Sequence, residues 1–99
     1  MPLFMLVTKI SQEKMKDLRN REKIGQEWRE KVKEKCPRVK FHAHYALLGK
    51  YDFLDIYEAP DEEDAARVSL ISMANGALQA ESWLAIPYQR FLEITRELT

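Results

Sequence analysis

A single cysteine in 99 residues, Cys36, leaves no internal disulfide framework and no CxxC metal or redox pair. Three glycines and four prolines are too few for a flexible linker or a low-complexity tract, and no internal repeat is visible. Apolar runs are short, and none approaches the roughly 18–20 residues that span a bilayer. The apolar opening Met1–Val7 has no basic flank and is too short for a signal peptide, so a cytoplasmic protein is expected. Net charge is also missing: 16 Lys and Arg stand against 16 Asp and Glu. What remains, 45% hydrophobic and 32% charged, excludes a disordered chain and describes one small globular domain. Its core is thin enough for a partner subunit to matter.

The zero net charge conceals an asymmetry. Residues 9–40 hold 12 basic and 6 acidic side chains, and residues 41–99 hold 4 and 10. A basic segment raises the question of nucleic acid. Within residues 12–35, however, the charges interleave, with Asp17 and Arg21, then Glu27 and Lys31, in the favourable i,i+4 order of a solvated helix face. No aromatic interleaving or RNA-binding motif accompanies them. A nucleic-acid binder built on this helix is the weakest of the functional readings.

Leu3–Thr8 reads as a strand buried on both faces in the middle of a sheet. Ser11 is placed to cap a helix in which Met15, Leu18, Trp28, Val32 and Cys36 recur at helical spacing; Gly25 stands where the stripe should continue. A kink or break is expected within Asn20–Gly25, and Pro37 stops the helix at Cys36. Val39–Leu48 and Tyr51–Ala59 alternate about Gly49-Lys50 and predict a hairpin. Pro60 and the acids Asp61–Asp64 open a second helix, Asn75-Gly76 closes it, and Leu78–Ile86 is a fourth strand. Strand, helix, strand, strand, helix, strand predicts an α+β fold: a ferredoxin-like plait (βαββαβ) with a four-stranded antiparallel sheet and both helices on one face. Residues 1–87 form this domain, and residues 88–99 a C-terminal helix or arm.

Pairing across a two-residue turn sets His44 opposite Asp55 and His42 opposite Tyr57. Phe41, Ala43, Tyr45, Leu47, Leu54 and Ile56 make the more apolar set and are expected beneath the helices. His42, His44, Phe53, Asp55 and Tyr57 are then left on the open face, with Gln79, Glu81 and Trp83 from the last strand. Such an aromatic face is expected to close on a second copy, giving a homodimer with a small pocket between or beneath its sheets.

Leu48-Gly49-Lys50-Tyr51-Asp52, followed by a strand ending Tyr57-Glu58-Ala59-Pro60-Asp61-Glu62-Glu63, resembles the GYD domain family of small bacterial and archaeal proteins. The resemblance spans most of residues 1–87. It implies a plait of the dimeric α/β-barrel group, in a family without a settled biochemical function. Fold relatives include small monooxygenases, haem-degrading enzymes, isomerases and ligand-sensing domains, whose chemistry does not transfer by fold alone. The long first helix with Trp28, the His42 and His44 pair and the C-terminal arm are extensions of the family pattern.

His44 with Asp55 has the parts of a general base, an imidazole oriented by a carboxylate. His42, Phe53, Tyr57, Glu81 and Trp83 are the candidate ligand-binding residues around it. A metal held by the histidines with Asp55 or Glu81, or a haem on one histidine, is a weaker use of the same groups, so no metal ligand is assigned and the cofactor stays unknown. An N-terminal Pro2 amine acting as base is weaker still. Asp52 is read as a structural carboxylate that accepts backbone N–H bonds at the hairpin mouth, and Cys36 as a buried helix-end thiol. The favoured function is a homo-oligomeric small-ligand-binding or structural module without a membrane partner. The alternative is a cofactor-independent small monooxygenase or isomerase using the His44–Asp55 pair.

Overall fold

The chain alternates segments of period 2 and period 3.6, and the elements follow. The computed structural model describes residues 1–99. Its elements are β1 (Leu3–Ile10), α1 (Gln12–Lys16), α2 (Arg21–Lys35), β2 (Lys40–Ala46), β3 (Phe53–Glu58), α3 (Glu62–Ala74), β4 (Ala77–Ala85) and α4 (Tyr88–Glu97). The four strands form one antiparallel sheet in the order β2-β3-β1-β4, which places the apolar β1 in the interior. This is an α+β fold with the element order expected of the plait.

Local signals end the helices where backbone chemistry requires. Ser11 Oγ accepts the Lys14 N–H at 3.2 Å to start α1, and Asp61 Oδ1 accepts the Asp64 N–H at 2.9 Å to start α3. Gly76, at φ 102°, takes the left-handed turn after α3 that a side chain would resist. The break in the first helical segment falls at Asp17–Asn20, one turn earlier than expected. There the Asn20 side-chain amide donates to both Asp17 carboxylate oxygens, at 3.2 and 3.0 Å, and Gly25 lies inside α2 instead.

The hairpin loop is longer than the expected two residues and runs from Leu47 to Asp52, but His44 still pairs with Asp55 and Ala46 with Phe53. A bulge between Phe41 and Ala43 sets Phe41, and not His42, opposite Tyr57. Asp52 is structural: its carboxylate accepts the Ile10 N–H at 2.8 Å, and its own N–H donates to the Thr8 carbonyl at 2.8 Å. The GYD turn is thereby tied to the end of β1.

The two faces of the β2–β3 hairpin are the reverse of the expected ones, whereas Gln79, Glu81 and Trp83 of β4 do lie on the open face. Phe4, Leu6 and Tyr57 are buried with Val32 of α2, with Cys36 at its C-cap, and with Ala65 and Val68 of α3. His44, Phe53, Asp55 and Tyr57 therefore lie on the helix-covered side, and Ala43, Tyr45, Leu54 and Ile56 on the open side. Phe41 does sit beneath the helices, because the bulge shifts it by one residue; it packs on Trp28 at 5.3 Å between ring centroids and on Tyr57 at 5.7 Å. The reversal has a physical basis. Counting apolar residues favours the set with Ala43, Tyr45, Leu54 and Ile56, yet that set lies on the open side, because Phe53 and Tyr57 make the other face apolar enough to pack. Polar groups also tolerate burial once paired, and Tyr57 and Asp55 both are. Trp28 packs α2 on the sheet as expected, and its Nε1–H donates to Ser72 Oγ of α3 at 2.8 Å.

Candidate functional site

A cleft of about 400 Å³ lies on the helix side, between the N-terminal half of α2, the ends of β1, β2 and β3, and the end of α3. From the sheet it receives Thr8, His44, Phe53 and Asp55; α2 adds Arg21, Gly25 and Trp28, and the end of α3 adds Ser72 and Asn75. Spacing within α2 explains the helical contribution. Arg21, Gly25, Trp28 and Val32 are three or four residues apart, so they share the face turned to the sheet.

One wall is a row of flat groups. Trp28 and His44 stack at 6.4 Å between centroids, His44 and Phe53 at 5.6 Å, and the Arg21 guanidinium carbon sits 5.1 Å from the Phe53 ring centre. His44 Nδ1 is hydrogen-bonded to Asp55 Oδ1. Asp55 is almost fully buried, so its carboxylate orients the imidazole. Facing that carboxylate, Nδ1 carries the proton and Nε2 is the nitrogen left for other chemistry. Two of the lining residues each keep a buried donor without a protein acceptor: Arg21 Nη1 and Asn75 Nδ2. Arg21 makes no ion pair, unlike Arg38, Arg67 and Arg90.

The pocket expected from the sequence is divided by the sheet. His44, Asp55 and Phe53 do converge in the cleft. Tyr57 lies deeper in the core, with no exposed surface, and its hydroxyl is 2.7 Å from Ser82 Oγ. Burial pushes the Tyr57 phenol up to about 12. His42, on the bulge, pairs with Glu58 at 3.1 Å near the sheet edge and does not line the cleft. Glu81 and Trp83 are on the open face, where Glu81 accepts from the Tyr51 hydroxyl at 2.5 Å and from Trp83 Nε1–H at 3.1 Å. The Tyr51 hydrogen bond, followed by that of Trp83, holds the Glu81 carboxyl below the usual carboxylate range. The same bond raises Tyr51. Glu81 and His44 lie on opposite faces and cannot share a ligand. Cys36 is buried between helix and sheet, and burial pushes its thiol up, away from reactivity.

Arg21, Gly25, Trp28 and Asn75 were absent from the expected site. Their signal is present in retrospect: the stripe Trp28, Val32, Cys36 extends backwards through Gly25 to Arg21, a glycine and then a cation where apolar residues belong.

Comparison with known proteins places the chain. A family model described as GYD domain matches residues 4–95. A protein of Thermus thermophilus named "Glutamine synthetase and cystathionine beta-lyase binding protein" is 32% identical over 88 residues, covering 88% of this chain and 90% of that protein. No solved structure matches. No helix is long and apolar enough to cross a membrane. The match over nearly the whole chain agrees with the Gly49-Lys50-Tyr51-Asp52 turn and the Glu58-Ala59-Pro60-Asp61 segment, and the chain belongs to the GYD domain family.

Proposed function

We propose that this chain is a small-ligand-binding module that works as a homodimer, with the ligand held in the cleft between α2 and the sheet. Gly25 carries the reading. It sits inside α2, lines the cleft, and a Cβ built on it would meet nothing within 4 Å. Glycine at a helix interior costs about 0.5–1 kcal/mol relative to alanine, and here it relieves no clash. What it preserves is open space beside a built wall of aromatic and hydrogen-bonding groups, in a cavity of ordinary ligand size. The open face supports the second half of the proposal. Leu3, Met5, Leu54 and Ile56 are half-buried there beside the more exposed Tyr45 and Trp83, an apolar face suited to a second copy. The helix α4 buries no residue and has its own apolar stripe, including Phe91 and, at its C-cap, Leu98, which suits an arm laid across that copy. The name of the Thermus relative extends the reading to protein partners, so that the module would dock on enzymes.

The test is a thermal-shift screen of small metabolites against the wild-type chain and Gly25→Leu, which fills the cleft from a position with room for it. Compounds that raise the Tm of the wild type and leave Gly25→Leu unmoved are expected. Equal response of both chains, or response of neither, defeats the proposal. Sedimentation across a concentration series reads the subunit number, and a monomer at every concentration removes the dimer.

The His44–Asp55 pair favours a second reading, a cofactor-independent isomerase or monooxygenase in the same cleft. Nε2 would take a proton from the substrate while Asp55 holds the imidazolium. Turnover abolished by His44→Gln, with ligand affinity kept, would establish it.

A further inference from the structure

Resting on the reading that the cleft binds a small ligand, the geometry points to its chemical class: we infer a flat carboxylate, an aromatic or unsaturated acid. The inference starts from two orphan donors. Arg21 and Asn75 both line the cleft, and one nitrogen of each, Arg21 Nη1 and Asn75 Nδ2, is buried with no acceptor in the chain. Natural interiors rarely leave such groups unpaired, least of all a guanidinium nitrogen. A ligand that enters the cleft and is met by these two side chains would supply the acceptor.

Arg21 opens α2 and Asn75 closes α3, so two helix ends bring the donors to one place over the sheet. Neither carboxylate of the cleft answers them. Asp55 is engaged by His44, and Glu22 is exposed and forms no ion pair with Arg21. A guanidinium fork matches a planar carboxylate, which accepts along two parallel N–H bonds. The rest of the ligand is dictated by the wall below Arg21. Phe53, His44 and Trp28 present a continuous row of rings, which suits a flat apolar body. A phosphate fits less well, since a tetrahedral dianion cannot lie flat on the row of rings and would bring a second negative charge beside Asp55 and Glu22, with Arg21 and Arg29 the cations of the cleft. A cation would face Arg21.

The test uses the full chain carrying Trp83→Phe, so that Trp28 in the cleft is the remaining indole. It is titrated by tryptophan fluorescence with cinnamate and benzoate, and with cinnamamide, benzylamine and phenyl phosphate of matched shape. The carboxylates are expected to bind at least about tenfold more tightly than the other three, the value of one charge-assisted hydrogen bond. Arg21→Gln should remove most of that preference and leave cinnamamide unchanged, and Arg21→Lys should restore only part of it because the fork is lost. Circular dichroism and an unchanged Tm establish that both variants fold. If the amide, amine or phosphate binds as well as the acids, the class is wrong while the binding reading stands. If carboxylates bind and Arg21→Gln changes nothing, the assignment of Arg21 is overturned. If none of the five binds but the metabolite screen yields cleft ligands of another class, this inference falls alone. If both experiments are empty, the binding reading falls with it.

Discussion

Two tyrosines on neighbouring strands decide which side of the sheet is the core. Tyr57 on β3 has no exposed surface, stacks on Phe4 at 5.5 Å and packs on Phe41 at 5.7 Å. Tyr45 on β2 is 54% exposed on the other face. Truncating a large buried aromatic to alanine costs about 3–5 kcal/mol, because transfer and cavity terms add. The lost Tyr57 hydroxyl accounts for about 1 kcal/mol of this and no more, since Ser82 keeps Ser69 Oγ at 2.7 Å. Tyr57→Ala should therefore lower stability by about 4 kcal/mol, roughly half of what a domain of this size commonly has, and Tm by about 16–30 °C. Tyr45→Ala should cost under about 1 kcal/mol in a lone subunit, where half of its surface is already wet. Urea and thermal unfolding, followed by circular dichroism at several protein concentrations, separate the two. The Tyr57 penalty should be independent of concentration, whereas the Tyr45 penalty should grow with it if a second copy covers the open face. Should Tyr57→Ala fail to fold, Tyr57→Leu keeps part of the volume and reads the same sign at about half the cost. A Tyr45→Ala penalty equal to or above that of Tyr57→Ala in dilute solution would refute the assignment of faces.

Three further substitutions test individual parts of the argument. Tyr57→Phe should be about 1 kcal/mol less stable than wild type at neutral pH, having lost one hydrogen bond. The folded phenol titrates at about 12, above its ordinary 10, so the wild type keeps its full stability below pH 10 and loses it as pH rises towards 12. At pH 11 the loss is about 1.4 kcal/mol, so the two denaturation curves should meet near there; a constant gap up to pH 11 contradicts the buried phenol. Asp52→Ala removes the acceptor of the Ile10 N–H, and should cost about 1–2 kcal/mol and speed hydrogen exchange at Ile10, with no change expected in ring contacts of the cleft. Gly25→Ala should raise Tm by a few degrees, through a gain of about 0.5–1 kcal/mol in helix stability, because its Cβ enters empty space. A fall in Tm would mean that the space is not there.

What the sequence disclosed divides along physical lines. The order of elements was legible because it rests on local signals: the Ser11 and Asp61 caps, the Asn75-Gly76 stop and the alternation on either side of the Gly49 turn. The pairing of His44 with Asp55 was legible for the same reason, since any even-numbered hairpin loop preserves it. The bulge at His42 was not, because an extra residue in an edge strand leaves no mark on composition. The choice of face was not legible either. It depends on non-local packing: whether Phe4 and Leu6 of β1, or Leu3, Met5 and Val7, meet Val32, Ala65 and Val68.

That single misplacement explains why three of the seven expected residues line one cleft. Residues joined by strand register, His44, Asp55 and Phe53, moved together to the helix side and remained a cluster. Residues joined to them only by an assumed face, Glu81 and Trp83, stayed on the open side with Tyr51. The helix α2 then supplied what the dimer partner was expected to supply. Arg21 and Trp28 flank the dyad from the same chain, with His44 still exposed, and Gly25 leaves the gap between them. Every residue of the proposed ligand cleft comes from one chain, so if the open faces do form the proposed dimer, a mutation that dissociates it should leave ligand affinity in place. Were affinity to fall with dissociation, the cleft would be coupled to the dimer through β3, the strand whose alternate residues face both.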